Sequence, residues 1–352
     1  MKELVLNDGT IIGGSRRVFI IAEIGLCHDG DPEVARTLIA QCKEAGADAV
    51  KFQKRDVANL AIGEVLDAND ERFPHFGSTY RQIREHIEFD VRTYQDLKKY
   101  ADEIGIPFIV SVFDNLSVDE MLPLRCSALK LASHVLSRKP LIEHICQLPE
   151  KNPILLSTGM AHLEEIDETV AMLKKADVPF GMFHCVSIYP HRLDQANLKM
   201  IRFLSERYDV PVGYSCHEIE NTSSLLAIAA GAVSLERHVT LNRDREGFDH
   251  KIALDMGELA QLVMEVRGVE AAMGTTKKTV SEDEWITRRK YHSSVVSVRA
   301  IKAGEIVYRD MLTVKNPGTG IPAREIDEVV GRKALVDIAQ DILILPEMLA
   351  EN

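Results

Sequence analysis

The chain has 352 residues, of which 45% are hydrophobic, and a formal net charge of −12 at pH 7. This length predicts two domains, or one large barrel with an appendage, and the composition is ordinary for a protein with a sizeable core. The acidic balance argues against general binding to nucleic acid or anionic membranes, so cations for an anionic substrate must be gathered locally.

The six cysteines lie in apolar runs or helices and form no CxxC pair. This usage is typical of reduced, buried thiols rather than a disulfide framework. No signal-peptide pattern opens the chain, and no apolar run is as long as a membrane span. We therefore expect a cytoplasmic protein with no membrane partner.

Segments typical of strands and helices alternate along most of the chain. Residues 3–13 alternate and turn at Asn-Asp-Gly, which predicts a small β-hairpin. Asp31 is placed to cap the first helix, with Pro32 in its first turn and Gly46 past its end. Eight apolar or β-branched runs predict strands, at residues 18–25, 47–53, 107–113, 128–133, 154–158, 180–187, 211–216 and 232–239.

Nearly every predicted strand is followed by a predicted helix. Eight such units in about 255 residues predict a (β/α)₈ TIM barrel. An open doubly wound sheet alternates similarly, but it seldom needs eight near-equal units and carries a glycine-rich fingerprint loop that is missing here. The polar segment 276–287 predicts a linker between a barrel domain, 1–275, and a small β-rich domain, 288–352, with short strands and no long helix.

One connection in the predicted barrel is unusually long. Between Lys54 and Phe89 the sequence predicts no strand and only one short helix, around residues 80–89. Long connections in compact domains are often lids or binding loops, although a solvated surface insertion is the alternative. The connection carries the aromatic and basic residues Phe73, His75, Phe76, Tyr80, Arg81, Arg84 and His86.

Two of the predicted strands each have a histidine at their carboxyl end, His217 and His238. The segment between them predicts a helix, so the two strands are parallel and both imidazoles fall at the carboxyl rim, where barrel enzymes place their chemistry. Two histidines at one rim can share a divalent metal. The alternative is that each is a hydrogen-bonded structural histidine.

Other polar residues also lie at or near the carboxyl ends of the predicted strands. Lysine on an apolar strand is unfavourable to bury without an anionic partner, so Lys51 and Lys130 predict a cradle for phosphate and carboxylate groups. The alternative for each lysine is an ion pair with a barrel glutamate. The full set of polar strand-end residues is Glu23, Lys51, Gln53, Lys130, Ser133, Ser157, Thr158, Ser187, Tyr189, Ser215, His217, His238 and Asp249.

Two chemistries fit these residue types. In one, a lysine forms a Schiff base with a ketone. In the other, a metal on the two histidines polarises an aldehyde while the lysines and serines hold a phosphorylated enol. Only the second uses the histidine pair.

The chain resembles the sialic acid synthases, which condense phosphoenolpyruvate with N-acetylmannosamine-type sugars, and residues 288–352 resemble that family's antifreeze-like (SAF) domain. The resemblance covers nearly the whole chain in the same order. The motifs that carry it are IAEIGLCHDGDPEVA (21–35), AGADAVKFQ (45–53), LKLAS (129–133), LLSTGM (155–160), HCVSIYP (184–190), GYSCHE (213–218) and LERHVTLNRDREGFDH (235–250).

The resemblance implies a metal-dependent transferase that yields a nine-carbon 2-keto acid. It implies that His217 and His238 bind Mn²⁺ or Mg²⁺ and that Glu23 is the acid/base residue. The phosphoenolpyruvate ligands would be Lys51, Lys130, Ser133, Ser157 and Ser215. The residues facing the sugar would be Gln53, Tyr80, Ser187, Tyr189 and Asp249. Family members also form domain-swapped homodimers in which the small domain covers the partner's barrel.

Some positions depart from the commoner bacterial pattern of this family. His134 replaces an acidic residue, Ser187 replaces an asparagine, and Asn316 replaces the arginine of an Arg-Pro-Gly turn. The loss of that arginine argues against plain N-acetylmannosamine as the substrate. Ser187 and the motifs GYSCHE (213–218) and LERHVTL (235–241) resemble the animal-type synthases, which accept the 6-phosphorylated sugar. We therefore expect Arg81, Arg84 or His134 to supply charge for such a phosphate. Synthesis of legionaminic acid, pseudaminic acid or a spore-coat sugar stays open.

Three rival functions are weaker on the same residues. A synthase acting on arabinose 5-phosphate would need a metal cysteine such as Cys27 and would lack the small domain. A Schiff-base aldolase leaves the histidines unexplained. A non-catalytic sugar-binding barrel would have lost the polar strand ends, yet they are present.

Overall fold

In the computed structural model, which describes residues 2–351, the chain divides after Gly274 into two units. The first unit opens with the predicted hairpin, in which β1 (Glu3–Val5) pairs antiparallel with β2 (Ile11–Gly13). Apolar side chains of this hairpin pack with the first inward residues of the barrel strands. The hairpin therefore closes the amino-terminal end of the barrel, and the opposite end is left to form a site.

Eight parallel strands form a closed barrel in which the last strand pairs with the first. This confirms the predicted (β/α)₈ fold and excludes the open sheet. The strands are β3 (Phe19–Gly25), β4 (Ala49–Lys54), β5 (Phe108–Val112), β6 (Ala128–Leu131), β7 (Ile154–Ser157), β8 (Phe180–Cys185), β9 (Val212–Cys216) and β10 (Ser234–His238).

Ten helices accompany these strands in the described part of the first unit. They are α1 (Pro32–Glu44), α2 (Gly63–Leu66), α3 (Tyr80–Ile87), α4 (Val91–Glu103), α5 (Asn115–Met121), α6 (Lys139–Gln147), α7 (Leu163–Lys175), α8 (Lys199–Tyr208), α9 (Thr222–Ala229) and α10 (Met256–Met273). Within residues 2–351, no helix combines the length and the apolarity needed to cross a membrane.

The start of α1 follows directly from local sequence. The Asp31 side chain accepts hydrogen bonds from the backbone N–H groups of Glu33 and Val34, and Pro32 occupies the first turn. Gly46 ends the helix region with a φ of 92°, a conformation that favours glycine. The predicted cap and stop are therefore confirmed.

Alternation along the strands separates two packing layers. On β3, Phe19 and Ile21 point into the barrel with the hairpin residues, whereas Ile20, Ala22 and Ile24 pack against the surrounding helices. An apolar layer thus fills the amino-terminal half of the interior. The next inward positions, closer to the carboxyl ends, are polar, and this change of residue type creates the site.

The second unit has its own small core, which includes Val295, Ile301 and Val307. Its strands β11 (Ser294–Ser297) and β12 (Leu312–Lys315) pair antiparallel, and its helices are α11 (Glu282–Tyr291) and α12 (Ile326–Val329).

The segment predicted as a linker, 276–287, contains the first half of α11. The helix begins because Ser281 and Glu284 form a capping box, in which each side chain accepts a hydrogen bond from the other residue's backbone N–H. The segment predicted as a linker is therefore helical from Glu282 onward. The Ser-Glu-Asp-Glu signal was present in the sequence, but the polarity of the segment concealed it.

Candidate active site

The carboxyl ends of the barrel strands surround a cavity of about 880 Å³, including the part open to solvent. Tyr80 does not line it, and its hydroxyl instead accepts a hydrogen bond from Arg84 Nε at 3.1 Å. Thr158, also predicted at a strand end, does not line the cavity either, and its hydroxyl donates a 3.2 Å hydrogen bond to the Phe183 carbonyl. Of the thirteen residues to which the resemblance assigns a role, the twelve other than Tyr80 line the cavity, although their roles stay predictions. They are Glu23, Lys51, Gln53, Lys130, Ser133, Ser157, Ser187, Tyr189, Ser215, His217, His238 and Asp249.

Strand register brings these residues to one level. Glu23 on β3 lies beside Lys51 on β4, and on its other side it is beside His238 on β10. Across β5 and β6, Ser111 lies beside Lys130. Because every second residue of a strand faces the interior, these neighbours form one polar ring above the apolar layer.

Both lysines are paired with barrel glutamates, the alternative that the sequence left open. Lys51 Nζ lies 2.8 Å from Glu23 Oε2 and 3.6 Å from Glu236 Oε1, and Lys130 Nζ lies 2.7 Å from Glu236 Oε2. Lys51 also donates a 2.9 Å hydrogen bond to Ser111. These pairs do not close the cavity, since all of these side chains line it. The lysines therefore stay within reach of an anionic ligand.

Burial and charge oppose each other in this cluster. Burial lowers the pKa of Lys51, but Glu23 and Glu236 outweigh it and hold the pKa above its usual value. For Lys130, burial prevails over the attraction of Glu236, and the pKa is lowered. Burial raises the pKa of Glu236, but the charges of Lys130 and then Lys51 outweigh burial and bring the pKa well below its usual range. Lys130 is thus the less well compensated cation.

Serine hydroxyls complete the ring beside the lysines. Ser215 donates to Glu236 at 3.1 Å, and Ser133 accepts a 3.1 Å hydrogen bond from the backbone N–H of Gly159. A Cβ on Gly159 would lie 2.3 Å from the Ser187 hydroxyl and 2.8 Å from that of Ser133. Only glycine fits there, because the backbone runs directly against the two serines.

The geometry of His217 and His238 fits a shared divalent metal. Their ring centroids are 5.5 Å apart. His217 Nδ1 lies 3.0 Å from the Val186 carbonyl, which can only accept, so this nitrogen carries the proton and Nε2 keeps a free lone pair. Burial, followed by the neighbouring His238, lowers the pKa of His217 to about 3, which favours the neutral imidazole that binds metals.

A third group lies close to the histidine pair. His238 Nδ1 is buried and makes no hydrogen bond with the described residues, and Asp249 Oδ2 lies 3.6 Å from it. Two imidazoles with an adjacent carboxylate suit a catalytic Mn²⁺ or similar ion. Within residues 2–351, no cluster of three or more His, Cys, Asp or Glu side chains has ligand geometry. The remaining coordination positions would therefore belong to water or substrate.

Several cavity residues were not identified from the sequence. Glu236 lies two residues before His238 on the same strand, so strand alternation alone could have placed it inside the barrel. Ser111 had the same signal on β5. Arg55 and Phe113 also line the cavity, but they follow the ends of their strands, where alternation no longer fixes the direction of a side chain.

Comparison with protein families gives two matches. The model of the NeuB family matches residues 38–278, and that of the SAF domain matches residues 292–350. The chain is 36% identical over 348 residues to N-acetylneuraminate-9-phosphate synthase from Homo sapiens, covering 98% of this chain and 96% of the relative. It is 33% identical over 340 residues to N,N'-diacetyllegionaminic acid synthase from Campylobacter jejuni, covering 94% and 99%.

Solved structures show the same architecture. An N-acetylneuraminic acid synthetase from Leptospira borgpetersenii superimposes with a TM-score of 0.70 at 32% identity, covering 82% of this chain and 96% of that one. A spore coat polysaccharide biosynthesis protein from Bacillus subtilis gives a TM-score of 0.64 at 26% identity, covering 97% and 98%.

Proposed function

Since the chain belongs to the NeuB family, we propose that it condenses phosphoenolpyruvate with an N-acetylmannosamine-type aldose to give a nine-carbon 2-keto sugar acid and phosphate. The chain is an enzyme of the sialic acid synthase type, because its relatives include synthases of N-acetylneuraminate 9-phosphate, N,N'-diacetyllegionaminic acid and pseudaminic acid. The observation that carries the proposal is the ring of two buried lysines and several serines beside two histidines that each keep a ring nitrogen available for a metal.

The lysines provide the binding site for phosphoenolpyruvate. Lys51 and Lys130 bind its carboxylate and phosphate, assisted by the hydroxyls of Ser133, Ser157 and Ser215. Both ammonium groups are already inside the barrel, so little reorganisation is needed when the ligand replaces carboxylate contacts. Lys130 also lies 4.1 Å from the centre of the Phe183 ring, which limits its movement.

The reaction forms one C–C bond and breaks one C–O bond. C3 of the enol attacks the aldehyde carbon, whose oxygen takes up a proton, and water then adds to C2 and gives up a proton. The C2–O bond to phosphate then breaks, and the C2 hydroxyl gives its remaining proton to the departing phosphate, which leaves a ketone. Glu23 would act as the acid/base residue, because its carboxylate lines the cavity and is oriented there by a 2.5 Å hydrogen bond from Gln53 and by the ammonium group of Lys51. A divalent cation on His217 and His238 would polarise the aldehyde oxygen.

We further propose that the protein is a cytoplasmic homodimer in which the small domain covers the partner's barrel. The rim of the cavity supports a cover of this kind, because two of its lining residues, Met160 and Tyr189, remain 67% and 54% exposed. Light scattering would test the dimer, and a monomer at every concentration would contradict it.

The experiment that tests the reaction uses phosphoenolpyruvate labelled with ¹⁸O at the bridging oxygen, with N-acetylmannosamine and Mn²⁺. Cleavage of the C–O bond leaves the label in the released phosphate, and mass spectrometry should show a nine-carbon acid. Label retained in the sugar acid would contradict the proposed route. A substrate trapped on lysine by borohydride would support the Schiff-base aldolase instead.

A further inference from the structure

Two arginines in the cavity have guanidinium nitrogens without partners. Arg55 Nη1 and Arg84 Nη1 are both buried, and neither makes a hydrogen bond to any residue that the structure describes. Arg55 as a whole is only 7% exposed. Buried polar groups are nearly always satisfied, and an unsatisfied charged donor is especially unfavourable. Two such donors in one cavity therefore point to a ligand.

The remaining contacts fix these guanidinium groups without neutralising them. Arg55 Nη2 donates to the Gln53 amide oxygen, and Arg84 Nε donates to the Tyr80 hydroxyl. The guanidinium carbon of Arg55 lies 3.8 Å from the centre of the Phe113 ring. The aromatic and amide partners are neutral, so they orient the arginines but leave both charges available for an anion.

The two arginines also feel each other's charge. Burial, followed by the charge of Arg84, lowers the pKa of Arg55 to about 10, although Glu88 acts in the opposite direction. The group still carries its charge near neutral pH. An anion bound to both guanidinium groups would relieve this repulsion.

This cationic pair is separate from the lysine cluster. Lys51 and Lys130 contact carboxylates inside the barrel, whereas Arg55 follows the end of β4. Arg55 lies four positions after Lys51, about 13 Å along the chain at the usual strand rise. A chain of side-chain hydrogen bonds runs from Arg55 through Gln53 to Glu23. A substrate whose reacting carbon lies near Glu23 could thus place its far end at the arginines.

We propose that Arg55 and Arg84 bind a phosphate monoester at the far end of the aldose, so that the preferred acceptor is a sugar phosphate. The inference rests on the proposed function, because it places the acceptor's aldehyde beside phosphoenolpyruvate. Two guanidinium groups match a phosphate dianion in both charge and hydrogen-bonding geometry. A single carboxylate would leave one charge uncompensated.

The other cations considered for this phosphate are less suitable. Arg81 pairs with Asp67 through its Nε and does not line the cavity. His134 lines the cavity and stacks on Phe113, but burial, followed by the charge of Arg55, lowers its pKa to about 4. His134 is therefore neutral near pH 7 and can offer a hydrogen bond but no charge. Arg81, on the same helix as Arg84, is instead a matched control.

The kinetic test compares N-acetylmannosamine with its 6-phosphate in wild-type protein and in Arg55→Ala, Arg84→Ala and Arg81→Ala. We expect the ratio of kcat/KM for the 6-phosphate to that for the free sugar to fall about 10- to 100-fold in the first two variants, as for loss of a charged hydrogen bond. Arg81→Ala should match wild type. A rise in KM for phosphoenolpyruvate with the ratio unchanged would overturn the proposal, because the arginines would then serve the other substrate.

A binding test separates this subsite from the reaction. With phosphoenolpyruvate and Mn²⁺ at saturation, mannitol 1-phosphate and mannitol are titrated calorimetrically; neither has an aldehyde to react. Mannitol 1-phosphate should bind wild type and Arg81→Ala, and at least about tenfold more weakly to Arg55→Ala or Arg84→Ala. Such binding without turnover of any sugar would contradict the proposed function alone. Equal binding to all four proteins, or to none, would overturn the subsite.

Discussion

Lys130 Nζ lies 2.7 Å from Glu236 Oε2, with both side chains buried inside the barrel. Because Glu236 also lies 3.6 Å from Lys51 Nζ, one carboxylate compensates two ammonium groups. A bound phosphoenolpyruvate would place its own anionic groups against the same lysines. The carboxylate thus keeps the binding site folded and charged before the ligand arrives.

Glu236→Gln should therefore lower the stability of the fold but increase the rise in Tm that phosphoenolpyruvate produces. Leaving a buried cation without its partner is expected to lower the free energy of unfolding by about 3–5 kcal/mol. Phosphoenolpyruvate should raise the Tm of this variant more than that of wild type, because it restores the missing charge. Thermal melts in EDTA with and without phosphoenolpyruvate measure both effects.

The matched control is Glu206→Gln, which removes an exposed carboxylate paired with Arg202. Exposed pairs contribute little, so its Tm should stay near that of wild type. A Glu236→Gln variant with unchanged Tm and an unchanged ligand response would show that the buried pairing has no role in binding.

Lys130→Ala should mainly impair the use of phosphoenolpyruvate. Loss of its charged hydrogen bonds to the ligand is expected to raise KM for phosphoenolpyruvate about 100-fold. Lys54→Ala is the control, because Lys54 is also a buried lysine on a barrel strand but pairs with Glu88 and Glu120 outside the cavity. Steady-state kinetics of both variants give the answer. Equal KM values would remove Lys130 from the binding site.

Removing either His217 or His238 should abolish the metal site. Each variant to alanine is expected to lose specific Mn²⁺ binding in titrations followed by electron paramagnetic resonance, because one imidazole cannot replace two. Turnover should fall to the level of wild type in EDTA. His184→Gln is the control, since His184 is buried but hydrogen-bonds to the Ala196 carbonyl outside the cavity. Retained Mn²⁺ binding in both alanine variants would place the metal elsewhere.

Because His28 is buried, we expect the protein to lose stability on mild acidification. Burial lowers its pKa from 6.5 to about 3, so the folded protein keeps this imidazole neutral while the unfolded chain binds a proton. Its contribution is therefore fully present above pH 6.5 and is lost as the pH falls toward 3. Between pH 7.5 and 5.0 this one group should lower the free energy of unfolding by about 2 kcal/mol.

Urea unfolding of wild type and His28→Phe at both pH values tests this effect. Phenylalanine can keep the stacking that His28 makes on Phe89, with ring centroids 4.1 Å apart. The loss of its hydrogen bond from Gly30 shifts the stability of the variant at both pH values. The decrease in the free energy of unfolding from pH 7.5 to pH 5.0 should be about 2 kcal/mol smaller in the variant than in wild type. Parallel declines would assign the acid sensitivity to other groups.

Local signals decided which parts of the fold could be predicted. The cap at Asp31 and the eight strands were readable because caps and apolar runs depend on neighbouring residues. The positions of Lys51, Lys130 and His238 at the carboxyl ends of apolar strands similarly predicted that they face the site. Strand alternation would add Glu236, which lies two residues before His238 on the same strand.

The arginine pair could not have been assigned from the sequence. Arg55 lies beyond a strand end, and Arg84 belongs to a long connection whose path depends on tertiary packing. Nothing in the sequence favours Arg84 over Arg81, because only the structure shows that Arg81 pairs with Asp67. Such distinctions depend on long-range contacts rather than on local pattern.

Metal-dependent release of phosphate from phosphoenolpyruvate tests the central claim most directly. The assay would contain Mn²⁺, with and without EDTA, and N-acetylmannosamine, its 6-phosphate, mannose 6-phosphate, arabinose 5-phosphate or a 2,4-diacetamido hexose. We predict release that requires both metal and a sugar, with the hexosamine 6-phosphate the best acceptor. Release that is independent of any sugar, or undiminished by EDTA, would contradict the proposed condensation.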